Sequence, residues 1–398
     1  MFREWLRPPQ LRSGEGADEI RHATWLELFY DLVFVVAIAE LAHNLSTDLS
    51  LTGTIEFFAL FVPVWWAWIG STFYATRFDT DDIQYRLLTG VEMFAVVALA
   101  TTIHDGLGAT STGFALSYAG IRLILVIKYY RARRHVTEAR PLINRFATGF
   151  AIAAALWIVS VLIPTPYRFG VWALALAISF ATPITAGQLH ADIPPHASHL
   201  PERFGLFTII VLGEIIVGVV TGVSEQEWTV QSFAIAVFST GIAFSLWWIY
   251  FDNHDGSAIR AAQVDGRVLV YQEWLYGHLP FTIGLTAFGV GVLHVLQSDL
   301  TAPLPVAERW LICGSLALCL ISLGLLQRTT LACAGEGRGS REQTLFRYGT
   351  GVVVVGIGGI GGGLTPVSLV GLLTLVAGAQ VVIDLYEREP ASNPLGME

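Results

Sequence analysis

Long apolar runs separated by short polar segments dominate the sequence. Each run is close to the roughly 20 residues that an α-helix needs to cross the hydrocarbon core of a bilayer. The pattern therefore predicts an all-α polytopic membrane protein with about twelve spans. The predicted spans cover residues 24–45, 53–75, 87–104, 113–130, 146–163, 170–187, 203–222, 230–251, 269–297, 307–327, 346–363 and 366–386.

The composition excludes a soluble globular protein. Hydrophobic residues make up 54% of the 398 residues and charged residues only 14%, and the mean hydropathy is +0.58. A soluble domain needs more polar surface than this, so the lipid bilayer is the first expected partner. The net charge of -9 resides mainly in short loops and makes nucleic acid an unexpected partner.

The basic residues between the spans indicate the orientation. If the N-terminus is cytoplasmic, all of the 23 Lys and Arg residues except Arg122, Arg168 and Arg309 fall in cytoplasmic segments. Cytoplasmic loops of membrane proteins are enriched in Lys and Arg. The distribution therefore predicts that both termini are cytoplasmic.

Four weak sequence matches recur in the same order and predict an internal repeat. Each half would hold six helices, and an even number of spans returns the chain to the side on which it started. The two repeats would therefore have the same orientation and be related by an axis along the membrane normal. The matches are Glu27-Leu-Phe29 with Glu202-Arg-Phe204, Phe78–Asp82 with Phe251–Asp255, Tyr85 and Glu92 with Tyr271 and His278, and Arg145–Gly149 with Arg347–Gly351. The predicted segments are a cytoplasmic N-terminus (1–21), a first repeat (22–190), a linker (191–201), a second repeat (202–387) and a cytoplasmic tail (388–398).

Four tracts of the sequence form a recognisable set. They are Trp25-Leu-Glu-Leu-Phe-Tyr-Asp-Leu-Val-Phe34, the segment from Thr72 through Arg77-Phe-Asp79 to Arg86, His199-Leu-Pro-Glu-Arg-Phe-Gly205 leading to Leu212-Gly-Glu214, and Tyr276-Gly-His-Leu-Pro280. Together they resemble the bacterial low-temperature-requirement protein A (LtrA) family. The resemblance implies a multi-pass protein of the bacterial inner (cytoplasmic) membrane associated with growth at low temperature, and it leaves the reaction and the substrate open.

Glu27 and Asp31 share one face of the first span, one helical turn apart. Acidic residues within apolar spans are costly and usually face a bundle interior or a wet cavity. The pair suits a proton relay or a general acid. The alternative is that both side chains pair with cytoplasmic arginines such as Arg21 or Arg203.

Two further acids lie within predicted spans. Glu214 falls near the middle of the seventh span, where Arg122 of the fourth span is the expected partner, either in a structural pair or at a site. Glu92 and His278 occupy equivalent positions in the two repeats, and imidazole can titrate near neutral pH. The alternative for His278 is a hydrogen bond between helices.

The duplicated acidic loops offer a possible metal site. Asp79 and Asp82 in the first half, with Asp252 and Asp255 in the second, supply the oxygen ligands that Mg²⁺ prefers and could hold a diphosphate through it. The alternative is that these residues cap helices and lie in solvated turns.

Aromatic residues concentrate in two tracts, Trp65-Trp66-Ala-Trp68 and Trp247-Trp248-Ile-Tyr250. Tryptophan is enriched at membrane interfaces, which predicts an interfacial belt. The alternative is an aromatic cavity for a lipophilic or cationic species.

Three functional hypotheses follow. The first is a transporter of an ion or small solute, coupled to protons through acids such as Glu27, Asp31 and Glu214. The second is an intramembrane enzyme that acts on a lipid or isoprenoid, using Mg²⁺ at the acidic loops or the carboxylates of the first span. The third is a non-catalytic role in cold adaptation or lipid sensing. The sequence leaves the choice, the substrate and the oligomeric state open.

Overall fold

The structure is a computed structural model of the whole chain. It describes residues 8–11, 23–79, 82–187, 189, 192–225, 228–252, 257, 259, 268–334 and 338–388.

Twelve α-helices and a short two-stranded ladder form the described part of the chain. The helices are α1 (Trp25–Thr47), α2 (Leu51–Arg77), α3 (Ile83–Ala100), α4 (Ser111–His135), α5 (Arg140–Ser160), α6 (Tyr167–Ile184), α7 (His199–Ser224), α8 (Val230–Asp252), α9 (Val268–Gln297), α10 (Val306–Ala334), α11 (Arg338–Ile360) and α12 (Pro366–Arg388). Each coincides with one predicted span, so the all-helical prediction is confirmed. Short 3-10 turns follow α3 and α11, at Ile103–Asp105 and Gly361–Gly363.

Eleven of the helices are long and apolar enough to cross a membrane. The helix outside this group is α1, which carries Glu27, Asp31 and Glu40 among its 23 residues. Its length still matches a span, because a helix rises about 1.5 Å per residue.

The chain divides into two compact units. The first consists of Met1–Phe207 and Gly256–Gln272, and the second of Thr208–Asp255 and Glu273–Glu398. The units are defined by contacts between residues, whereas the predicted repeats are defined by sequence matches. The repeat boundaries therefore stay a prediction.

Helix α2 forms the core of the first unit. Trp65, Trp66 and Trp68 have no exposed surface, so the prediction of an interfacial belt is wrong for this tract. The Trp66 ring stacks on Phe180 of α6 with 4.1 Å between centroids, and Trp68 stacks on Phe207 of α7 at 4.2 Å. The rings are buried because other helices surround α2, and such large side chains contribute strongly to a core.

The ladder joins the N-terminal segment to the end of α2. Strand β1 (Gln10–Leu11) is antiparallel to β2 (Phe78–Asp79), with Gln10 opposite Asp79. Two-residue strands are too short to show the alternating pattern from which strands are predicted, so the sequence does not predict them.

Arg168 and Arg309 each donate a hydrogen bond to a carbonyl near the C-terminal end of a helix. In the first unit, Arg168 donates from Nε to the carbonyl of Ser160, at the end of α5, at 3.1 Å. In the second unit, Arg309 donates from Nε to the carbonyl of Gly358, near the end of α11, at 2.9 Å. A basic side chain there satisfies carbonyls that lack a partner within the helix.

Helices α7 and α9 approach closely within the second unit through two glycines. A Cβ atom at Gly218 would collide with the carbonyl of Gly289, and one at Gly289 would lie 2.7 Å from the carbonyl oxygen of Glu214. Gly213, also in α7, has open space around it. Small residues allow this backbone approach between membrane helices.

We expect Gly218→Val to destabilise the protein by about 1–3 kcal/mol, because the backbones of α7 and α9 would have to separate. The measurement is the thermal midpoint in detergent, followed by fluorescence-detected size exclusion. Gly213→Ala is the matched control in the same helix, and we expect no loss of stability there. Equal stability of Gly218→Val and the wild type would contradict the close approach.

Candidate functional site

The candidate site begins at the first turn of α1, where Glu27 completes a capping box. The Thr24 hydroxyl accepts a hydrogen bond from the Glu27 backbone at 3.3 Å, and Glu27 Oε2 accepts one from the Thr24 backbone at 2.8 Å. This reciprocal pattern satisfies backbone donors at the start of a helix. Glu27 therefore has a local structural role as well as its contacts with α7.

Asp31 lies one turn further along α1 and has no exposed surface. Its Oδ1 accepts two hydrogen bonds, from Trp68 Nε1 of α2 at 2.7 Å and from Arg203 Nη2 of α7 at 2.6 Å. The Oδ2 atom is buried without a hydrogen-bond partner. Asp31 thus joins α1, α2 and the start of α7.

A second buried carboxylate, Glu92 of α3, pairs with Lys128 of α4. The distance from Lys128 Nζ to Glu92 Oε2 is 2.5 Å, and both side chains are buried. Glu92 Oε1 accepts from the Tyr30 hydroxyl at 2.8 Å and from the Ser71 hydroxyl. Lys128 also donates to the Thr89 hydroxyl at 3.1 Å.

Two residues of α7 face Glu27. His199 Nε2 lies 3.3 Å from Glu27 Oε2, and Arg203 Nη1 lies 3.9 Å from the same oxygen. Arg203 therefore bridges Glu27 and Asp31. We call Glu27, Asp31, Glu92, Lys128, His199 and Arg203 the charged cluster; all six side chains belong to the first unit.

A small cavity lies beside Glu27, Lys128 and Arg203 of the charged cluster. Its volume is about 10 Å³, close to the room that one water molecule needs. The wall consists of Leu26, Glu27, Tyr30, Ser71, Ala75, Tyr85, Thr89, Lys128 and Arg203. The cavity can hold a water molecule that links polar groups, but a larger solute requires the helices to move.

One network of contacts includes Glu27, Asp31 and Glu92: Arg203 faces the first two, and the Tyr30 hydroxyl of α1 donates to Glu92. Of the two partners proposed for the first-span acids, Arg203 is confirmed and Arg21 lies outside the described residues.

Arg122 belongs to the first unit. It donates to the Tyr118 hydroxyl from Nε at 3.0 Å and from Nη2 at 2.5 Å, and it lies over the Phe150 ring at 5.3 Å. Gly70 leaves room for it, because a Cβ atom there would lie 2.5 Å from Arg122 Nη1. Its predicted pairing with Glu214 stays a prediction.

Glu214 and His278 belong to the second unit. Glu214 is buried in α7, with no hydrogen bond or ion pair found within the described ranges. His278 Nδ1 lies 2.7 Å from the Trp274 carbonyl, and its Nε2 lies 3.1 Å from the Tyr250 hydroxyl of α8. These contacts fit a neutral imidazole with its proton on Nδ1, the inter-helix alternative considered for this residue.

The acidic loops are described only in part. Asp82 is buried; its Oδ1 caps α3 by accepting from the Tyr85 backbone at 3.1 Å, and its Oδ2 pairs with Arg131 at 2.5 Å. Asp252 is exposed at the end of α8. The Asp79 side chain and the whole of Asp255 lie outside the described residues, so Mg²⁺ binding stays a prediction.

Neither Lys128 nor His199 of the charged cluster is predicted as a site residue from the sequence. Lys128 falls within the predicted fourth span, and the distribution of basic residues assigns it to the cytoplasmic side. His199 lies just before the predicted seventh span, in a tract that resembles the family. A lysine inside a span and a histidine at the start of one were the available signals, but neither identifies a partner.

The comparison with family models decides the identification. The model of the bacterial low temperature requirement A protein (LtrA) matches residues 22–384, nearly the whole chain. The chain belongs to the LtrA family. An uncharacterized protein of Rhizobium meliloti (strain 1021) is 28% identical over 297 residues, which cover 72% of this chain and 71% of that protein. No solved structure matches the chain.

The LtrA match includes every residue of the charged cluster, and the eleven apolar helices fit a polytopic membrane protein. Family membership assigns no role to these side chains. Their possible chemistry rests on their contacts.

We expect Lys128→Met in this LtrA protein to lower the free energy of unfolding by about 3–5 kcal/mol, because it leaves the Glu92 carboxylate buried without its cation. The double variant Lys128→Met/Glu92→Leu should recover part of the loss. Thermal midpoints in detergent measure both effects.

The matched control is the exposed pair of Glu273 and Arg328, whose atoms are 2.8 Å apart. Glu273→Gln should cost only about 0–1 kcal/mol, since water screens an exposed pair. Equal losses for Lys128→Met and Glu273→Gln would contradict a buried ion pair.

Proposed function

We propose that this LtrA protein is a proton-coupled transporter of an ion or small solute. The observation that supports it is the charged cluster, six ionisable side chains enclosed by α1, α2, α3, α4 and the start of α7. Ionisable groups inside apolar helix bundles are costly and often belong to proton or ion pathways. A path through the first unit would need these helices to move, because the cavity holds only about one water.

The proposed architecture is two parallel six-helix repeats. A contact made by an arginine in each unit supports this architecture. In the first unit, Arg145 of α5 donates to Thr185, the residue after α6. In the second unit, Arg347 of α11 donates to Asp384 in the last turns of α12 at 2.6 Å. These two arginines are matched in the sequence repeat, and each connects the fifth and sixth helices of its half.

The alternative, an intramembrane enzyme that acts on a lipid or isoprenoid with Mg²⁺ at the acidic loops, has less support. The Asp82 carboxylate already caps α3 and pairs with Arg131. A metal ion would have to displace both interactions. The link to growth at low temperature rests on the family description and belongs to this proposal as a physiological role.

Transport is tested with purified protein in liposomes that contain a pH-sensitive dye. We expect at least one member of a panel of inorganic ions and small organic solutes to drive proton movement with the wild-type protein. Asp31→Asn should reduce that movement to the level of protein-free liposomes, because it removes the anion that holds Arg203 and Trp68.

Glu40→Gln is the matched control, a half-buried acid on the same helix and outside the charged cluster. It should keep the wild-type rate. The proposal fails if no solute moves protons, or if folded Asp31→Asn matches the wild type. Release of a modified lipid instead would favour the enzyme.

The orientation is tested with reporter fusions. A green fluorescent protein fused after Glu398 should fluoresce and alkaline phosphatase fused there should be inactive, because the basic residues predict a cytoplasmic C-terminus. Fusions after Pro164, between α5 and α6, should give the opposite pair of signals. Active phosphatase at Glu398 would contradict the proposed orientation.

A further inference from the structure

The charged cluster contains more carboxylates than basic side chains that are always charged. Glu27, Asp31 and Glu92 are three carboxylates, whereas Lys128 and Arg203 are two cations. One negative charge therefore remains uncompensated when His199 is neutral. A single added proton makes the cluster neutral, and an uncompensated buried charge is costly.

Two of the carboxylates each have a cation in direct contact. Arg203 lies 2.6 Å from Asp31, and Lys128 lies 2.5 Å from Glu92. Charge-assisted hydrogen bonds of this length favour the ionised carboxylate.

Glu27 has the longest cation contact of the three carboxylates, and its Oε2 also accepts hydrogen bonds from the Thr24 backbone at 2.8 Å and the Thr24 hydroxyl at 3.1 Å. Its cation contact, to Arg203, is 3.9 Å long, beyond hydrogen-bond distance. The imidazole of His199 is closer, at 3.3 Å. Glu27 is also the only one of the three with measurable exposure, 5% against 0% for Asp31 and Glu92.

A metal cation is a poor candidate for the missing positive charge. The cavity of about 10 Å³ has Lys128 and Arg203 in its wall, and both repel a cation. The described part of the chain also contains no group of three or more His, Cys, Asp or Glu side chains arranged to hold a metal ion. A proton needs neither additional volume nor a ligand shell.

We infer that the charged cluster binds one exchangeable proton between Glu27 and His199. Asp31 and Glu92 stay ionised as fixed partners of Arg203 and Lys128. The inference deepens the proposed function by naming the group that carries the coupling proton, and it rests on that function for its role. Occupancy by the proton can be measured without any transport.

The helices that carry the charged cluster hold other charged and titratable groups, which have contacts of their own. Tyr30 of α1 donates to Glu92, and Tyr85 of α3 has the Lys128 ammonium over its ring at 5.0 Å. Asp82 pairs with Arg131. On α2, Arg77 donates to the Ile193 carbonyl at 3.2 Å, and Glu202 is a half-buried neighbour of Arg203 on α7.

Infrared spectroscopy of the protein in lipid tests the inference, because a protonated carboxyl group absorbs apart from a carboxylate. In the wild type the proton can reside on the imidazole. In His199→Gln it has only Glu27 to occupy. We expect His199→Gln to gain one carboxylic acid band relative to the wild type, and His199→Gln/Glu27→Gln to lose it again.

His199→Gln/Glu40→Gln is the matched control and should keep the gained band. The band of a protonated Glu214, where present, is common to all of these variants and cancels in the differences. The inference is overturned if His199→Gln gains no band, or if the band survives Glu27→Gln and disappears with Asp31→Asn or Glu92→Gln.

A second measurement covers the case in which the variants do not fold. A hydrophobic carbodiimide adds to protonated carboxyl groups, and mass spectrometry of the wild-type protein maps the label. We expect labelling at Glu27 that increases as the pH falls, with none at Asp31 or Glu92. Labelling at Asp31 or Glu92, or none at Glu27 when Glu214 is labelled, overturns the inference.

The two proposals can fail separately. Proton movement in liposomes with no protonated Glu27 in His199→Gln would keep the transporter and reject the Glu27 and His199 pair. A protonated Glu27 without proton or solute movement would keep the binding site and reject the transporter.

Discussion

The ion pair of Asp31 and Arg203 joins residues 172 positions apart in the sequence. Removing two charges from water costs several kcal/mol for each ion, and only close geometry with additional hydrogen bonds offsets that cost. Trp68 supplies such a bond to Asp31, while Arg203 also faces Glu27. The positions of α1, α2 and the start of α7 are therefore fixed relative to one another by the need to keep this buried ion pair and its hydrogen bonds. Apolar packing alone does not impose such a need.

The pair of Glu92 and Lys128 extends the same constraint to α3 and α4. Tyr30, next to Asp31 in the sequence, donates to Glu92 and so connects the two ion pairs. Residues that share one hydrogen-bond network do not contribute independently to stability. The charged cluster consequently behaves as one unit, in which the protonation state of one group affects the interactions of the others.

The buried acids have different environments. Glu27, Asp31 and Glu92 of the first unit and Asp384 of the second have basic partners within a few ångströms, whereas Glu214 has no hydrogen bond or ion pair among the residues that the structure describes. Replacing buried ion pairs with apolar residues is often neutral or stabilising. A contribution to stability is therefore a weak explanation for the presence of the charged cluster. A function that needs a bound charge or proton is a more direct explanation, and it underlies the transporter proposal.

The sequence by itself determined the helices of this LtrA protein, because their apolar runs are local and have the length that a bilayer requires. It also predicted that Glu27 and Asp31 share one face of the first helix. The tertiary structure decided which partners these acids have. Contact with His199, Lys128 and Arg203 depends on packing between helices far apart in the chain, and the same packing buried Trp65, Trp66 and Trp68 inside the first unit instead of at an interface.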